Sequence, residues 1–121
     1  MNLDHITQQY LEIFPGDFSE NPRQRQTPKI LFATTDIVHF KNPELIAFNE
    51  NLSEEIGLGK IEDDRDIAFL NAASLPENIR TYSTAYAGHQ FGNRAGQLGD
   101  GRAIYAGEIQ KKKKKKTELQ W

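Results

Sequence analysis

Residues 86–109 read YAGHQFGNRAGQLGDGRAIYAGEI and hold six of the nine glycines: Gly88, Gly92, Gly96, Gly99, Gly101 and Gly107. Glycine lets a backbone take positive φ or approach a ligand closely. Five of the six lie between 88 and 101, a density that predicts a loop rather than a helix or a regular strand. Ala103-Ile104-Tyr105-Ala106 follows and reads as a strand. A turn, a glycine-rich loop and a strand in succession offer several backbone N–H groups to a phosphate. Arg102, beside Gly101, adds a fixed positive charge with bidentate geometry. Spacing alone does not specify a nucleotide, because glycine-rich turns between strands are common. Gly96-x-x-Gly99-x-Gly101 matches neither the dinucleotide fingerprint nor the phosphate loop that ends in Gly-Lys-Ser/Thr. Asp100 would repel a phosphate unless it points away or helps hold a metal ion, and aspartate is also an ordinary turn residue.

The bulk composition narrows the classes. A chain of 121 residues has room for one small domain. Fifteen Lys and Arg against 17 Asp and Glu give a formal charge of -2, which points to neither nucleic acid nor an anionic membrane. The absence of cysteine excludes disulfides, thiol chemistry and cysteine metal sites. No apolar run approaches the roughly 18 residues of a membrane span. MNLDHITQQYLEIFPG has no basic segment leading into an apolar core, so it does not read as a secretory signal, and it lacks the arginines of a transit peptide. The expected compartment is the cytoplasm, with the mitochondrion as the alternative in a eukaryotic source.

Upstream of residue 86, Ile6, Tyr10, Ile13 and Phe14 predict one short amphipathic helix that Pro15-Gly16 ends. Residues 17–28 read as an extended polar segment, and Ile30–Ala33 as a short strand or an apolar strap. Asn42-Pro43-Glu44 predicts a helix start, with a cap, a proline at the first helical position and an acidic first turn. Leu45, Phe48, Leu52 and Ile56 then share a face, and Gly57 is the stop. A second helix is predicted over about Asp64 to Ala72. The acidic cluster Glu62, Asp63, Asp64 and Asp66 reads as its solvated N-terminus, since its spacing fits no calcium loop. His89 is expected to be a packed or hydrogen-bonded structural histidine, with no HExxH motif and no nucleophile elbow in the chain. Lys111–Lys116 form a self-repelling run, expected in the loop of a hairpin between strand 103–109 and strand Thr117–Trp121. Without interleaved aromatics it does not make a nucleic-acid platform.

The wording of YAGHQFG, followed by QLGDGRA and then GE, resembles the selenoprotein O family, whose bacterial members are known as YdiU. The resemblance extends through Leu75-Pro76, Ile56-Gly57-Leu58 and Thr27-Pro28, covering about Phe14 to Ile109. It implies a protein-kinase-like fold and the transfer of AMP from ATP to hydroxyl side chains of proteins, Ser, Thr or Tyr. It implies that Gly99, Gly101 and Arg102 contact ATP, with Gln97, Leu98 and Asp100 in the same loop. In the family a segment like Glu118-Leu119-Gln120-Trp121 is followed by Lys-Gly, whose lysine grips the nucleotide phosphates. That lysine, the catalytic aspartate and the ligands of Mg2+ or Mn2+ are expected downstream of Trp121, so no catalytic or metal residue is assigned here.

The resulting expectation is an α+β fold: N-terminal helices leading into the first strands of an incomplete kinase-like N-lobe. Residues 1–85 form a helical and irregular lead-in, and 86–121 the glycine-rich loop with its flanking strands. ATP and protein substrates are the expected partners. Three incomplete strands would leave an apolar edge open to self-association, and the segment is expected to be inactive alone. Two other readings stay open: a polyanion-binding module without enzymatic activity, and a truncated gene product with no role of its own.

Overall fold

A computed structural model describes residues 1–39, 41–99, 103–110 and 116–120. A single 3-10 turn, Leu3–His5, leads into β1 (Ile6–Thr7) and α1 (Gln9–Ile13). There follow β2 (Gly16–Asp17), β3 (Phe32–Thr34), α2 (Glu50–Ile56), α3 (Asp64–Leu70), β4 (Tyr82–Gln90), β5 (Asn93–Gly99), β6 (Tyr105–Gln110) and β7 (Lys116–Gln120). The strands form one mixed sheet in the order β1-β6-β4-β3-β2, with β5 added on β4 and β7 on β6. Few helices beside a sheet of short strands make an α+β fold, consistent with an incomplete kinase-like N-lobe. Among the described residues the sheet has seven strands rather than three, because the lead-in supplies β1, β2 and β3 and the glycine-rich stretch is itself paired as β4 and β5. β6 and β7 pair antiparallel from Tyr105↔Gln120 to Gln110↔Lys116, the hairpin expected on either side of the lysines. Trp121 and Lys111–Lys115 lie outside the described residues.

Two clusters hold the sheet. Ile6, Leu58, Phe69, Ile79, Ala106 and Ile109 form an aliphatic core against α3 and the residues after α2. Tyr82 stacks on Tyr10 at 5.5 Å and on Tyr105 at 5.4 Å, with Phe32 edge-on to it at 5.7 Å. Phe32 and Tyr82 are fully buried, and close packing explains two glycine positions on this sheet. A Cβ on Gly16 would lie 2.0 Å from the Phe32 ring, and one on Gly107 would lie 2.3 Å from the Thr7 carbonyl of β1. Glu108 is buried beside them, and its carboxylate accepts from the amides of Gln9 (3.0 Å) and Tyr10 (3.1 Å). It thereby satisfies N–H groups at the start of α1 that Gln8, with no side-chain cap, leaves open.

The helices depart from the sequence expectation in instructive ways. α1 is shorter than the apolar spacing suggests, because Ile6 is drawn into β1 opposite Ile109. The helix expected from Asn42 begins only at Glu50. Asn42 sits at φ 54, whereas the Asn49 side chain accepts from Leu52 N and is the real cap. Leu45 is 42% and Ile46 98% exposed, so residues 43–49 have no surface on which to bury an apolar face. Short helices depend on such packing. Gly57, at φ 93, ends α2 as expected. α3 follows the sequence: Asp63 caps it by accepting from Arg65 N and Asp66 N. The Asp66 carboxylate is bonded at 2.8 Å to the Met1 ammonium. Burial pushes the Asp66 carboxyl up, but the ammonium and the Glu62 amide outweigh it and hold it below its usual value.

Candidate functional site

The glycine-rich stretch is not a loop through 88–99. It is a β-hairpin, and each described glycine in it serves an irregularity of that hairpin. β4 and β5 pair from Gln90↔Asn93 back to Ala85↔Gly99. The two-residue turn is Phe91-Gly92, with φ 51 and 77, the double positive φ of a type I′ hairpin turn. The register shifts between Ala87 and Gly88, leaving Gly96 as an extra residue of β5, which is a β-bulge. Gly88 leaves space for Leu98, whose Cδ1 would stand 2.0 Å from an added Cβ. Density of glycine thus marks bulge, turn and close packing within strands, not absence of strands.

The ladder breaks where the sequence placed the nucleotide contacts. Gly99 stands opposite Ala85, and the chain rejoins β4 at Tyr105, opposite Tyr82. The described β4–β5 ladder thus ends at Gly99. Gly99 is exposed, and a Cβ there would come 3.1 Å from the Thr84 carbonyl. An exposed backbone with no side chain of its own fits the close approach of a phosphate. Asp100, Gly101 and Arg102 lie outside the described residues. The Phe91-Gly92 turn is at the far end of β5, whose seven residues span about 23 Å at roughly 3.3 Å each, so it lies well away from Gly99.

Of the other loop residues, Leu98 is 41% exposed and covers Gly88. Gln97 is engaged from elsewhere: its Oε1 accepts from Thr27 N at 2.8 Å, and its Nε2 donates to Thr27 Oγ1. His89 is exposed on β4 opposite Arg94 rather than packed, because it lies beyond the part of β4 that carries core on its faces. Thr27 and Glu108 escaped the sequence reading. A glutamate within the apolar run of β6 was a signal for Glu108, whereas nothing local announces a contact between residues 70 positions apart. Among the described residues, no group of three or more His, Asp or Glu could hold a metal ion.

Comparison with known proteins bears on the same block. The family described as Protein adenylyltransferase SelO matches residues 17–121. The chain belongs to the SelO family. A protein nucleotidyltransferase YdiU of Cytophaga hutchinsonii is 40% identical over 120 residues, covering 99% of this chain and 23% of that protein. The YdiU of Agrobacterium fabrum is 48% identical over 71 residues, covering 57% of this chain and 15% of its own length. That of Flavobacterium johnsoniae is 38% identical over 109 residues, covering 87% and 20%. This SelO-family chain thus spans under a quarter of the length of these relatives. No solved structure matches it. No helix among the described residues is long and apolar enough to cross a membrane.

Proposed function

We propose that this chain supplies one wall of the nucleotide site of an ATP-dependent protein adenylyltransferase. The observation that carries the reading is the exposed Gly99 at the end of β5, within the QLGDGRA block of a chain that matches the SelO family. In this reading the amides of Gly99 and Gly101 and the guanidinium of Arg102 contact the ATP phosphates, with Leu98 and Asp100 shaping the loop around them. Backbone donors and a fixed guanidinium suit phosphate because they need no rearrangement as charge develops. The transfer is balanced simply. A Ser, Thr or Tyr hydroxyl oxygen of a protein substrate bonds to the α-phosphorus, the bond from that phosphorus to the bridging oxygen breaks, and pyrophosphate leaves. Mg2+ or Mn2+ would neutralise phosphate charge, held by residues outside this part of the fold. Residues 1–121 alone position a nucleotide without completing the catalytic set, and are inactive by themselves.

The test is AMP transfer from ATP labelled at the α-phosphate. The chain alone is compared with a hybrid in which it replaces the matching first segment of the Cytophaga hutchinsonii relative. Label on protein is expected from the hybrid and not from residues 1–121. Transfer by residues 1–121 alone would contradict the shared-site reading, and a hybrid that transfers equally well with Arg102→Ala would contradict the assignment of the loop.

A further inference from the structure

The hydrogen bonds of Gln97 have a consequence for Gly99, two residues on. Both ends of its amide are engaged by Thr27, so this side chain is turned to the lead-in. Thr27 opens a β-turn in which Ile30 N donates to Thr27 O at 3.3 Å and Lys29 sits at φ 65. Pro28 and a left-handed third residue are the features of a type II turn. A lysine in that conformation persists only where the surroundings hold it. The far end of the turn is held too: Leu31 O accepts from Ala85 N at 2.7 Å, and Leu31 N donates to Pro15 O at 2.9 Å. Ala85 is the ladder partner of Gly99, and Ala87 that of Gln97. The segment 27–31 is therefore fastened to β5 at one end and to β4 at the other, on rungs two residues apart near the end of β5. Among the described residues β5 has no strand neighbour except β4, and the two Thr27 bonds tie its Gln97 side chain to a segment outside that pairing.

We infer that the Thr27–Gln97 clasp braces the end of β5 and makes Thr27 a positioning residue for Gly99. The brace stands on the contacts above, and its consequence for nucleotide binding rests on the proposed reading of Gly99. Gln97 acts on Gly99 through Thr27, not as a ligand contact.

Two readouts on the full chain separate the brace from the reading it serves. Amide hydrogen exchange at Leu98 and Gly99 needs no ligand. Thr27→Val removes the hydroxyl partner of Gln97, and exchange there is expected to rise about fivefold, the scale of one net hydrogen bond, with Ala106 and Ile109 unchanged. Thr27→Ser restores the protected state, and Gln97→Leu exceeds Thr27→Val because it loses both bonds. Unchanged exchange at Leu98 and Gly99 in both variants would overturn the inference. So would a rise shared equally by β6, which would mean general destabilisation. The second readout is ATP affinity, expected to fall by a similar factor in Thr27→Val and recover in Thr27→Ser. A loss of affinity in Gln97→Leu with none in Thr27→Val would make Gln97 a direct ligand and sink the positioning role. A local rise in exchange in a chain that binds no ATP in any form would uphold the brace and count against the nucleotide reading.

Discussion

The two halves of β4 are built for different ends. Tyr82–Thr84 has β3 along one edge, is joined by β6 at Tyr82, and carries a fully buried tyrosine between stacked aromatic rings. Ala85–Gln90 has β5 as its strand partner, and its Tyr86 is 48% exposed. The first half is stabilised by burial, at about 1.5–3 kcal/mol for a large apolar side chain removed from water. The second half is held by ladder bonds, a tight turn and the strap from Thr27, and it presents surface. The lesson is that one unbroken strand can be core at its base and scaffold at its tip. The change falls at Ala85, the rung where Gly99 ends β5.

That contrast can be broken most forcefully at the base. Phe32→Ala removes a fully buried ring, and cavities of that size cost about 3–5 kcal/mol. Denaturant unfolding should show that full loss, and a change below about 1 kcal/mol would mean that the aromatic cluster is not the core. The tip should respond in the other direction. Phe91 is 92% exposed and sits at φ 51, where asparagine is at ease and phenylalanine is not. Phe91→Asn should stabilise the hairpin by about 1 kcal/mol, read as slower exchange at the Asn93 and His89 amides with no change in β6. Destabilisation instead would mean that the ring is held by contacts, and the tip would no longer differ in kind from the base.

The smallest effect is electrostatic and peripheral. Hydrogen bonds from Ser19 and then Arg25 hold the Asp17 carboxyl down at about 2, against an ordinary value of 3.8. A depressed folded value means that its contribution is present above the unfolded value and is lost as pH falls from about 4 through 2. Stability measured against pH should therefore decline across that window more steeply in the parent chain than in Asp17→Asn. Identical slopes would remove Asp17 from the account. Both partners lie near the surface, so the effect is modest and should shrink further in high salt.

Legibility of the sequence followed locality. The α3 cap, the Gly57 stop and the β6–β7 pairing were readable because each depends on a few neighbouring residues. The helix start was misplaced from Asn42 to Asn49 because both asparagines carry suitable local chemistry. Only the lack of a packing surface for Leu45 and Ile46 decides between them. The β4–β5 hairpin was hidden because Gly88 and Gly96 look like loop residues until Leu98 and the bulge explain them. The clasp of Thr27 on Gln97 spans 70 positions and leaves no periodic trace. At the candidate site, the wording of the QLGDGRA block pointed to Gly99, whereas its place at the exposed end of β5 emerged only from the pairing with β4.

The most direct measurement is titration calorimetry of ATP with magnesium into the hybrid carrying residues 1–121, with and without Arg102→Ala. The account predicts saturable binding that weakens at least tenfold in the variant, the scale of a lost charge-assisted hydrogen bond of about 1.5–3 kcal/mol. Equal affinity in both proteins would contradict it, because Arg102 of the QLGDGRA block would then contribute nothing to nucleotide binding.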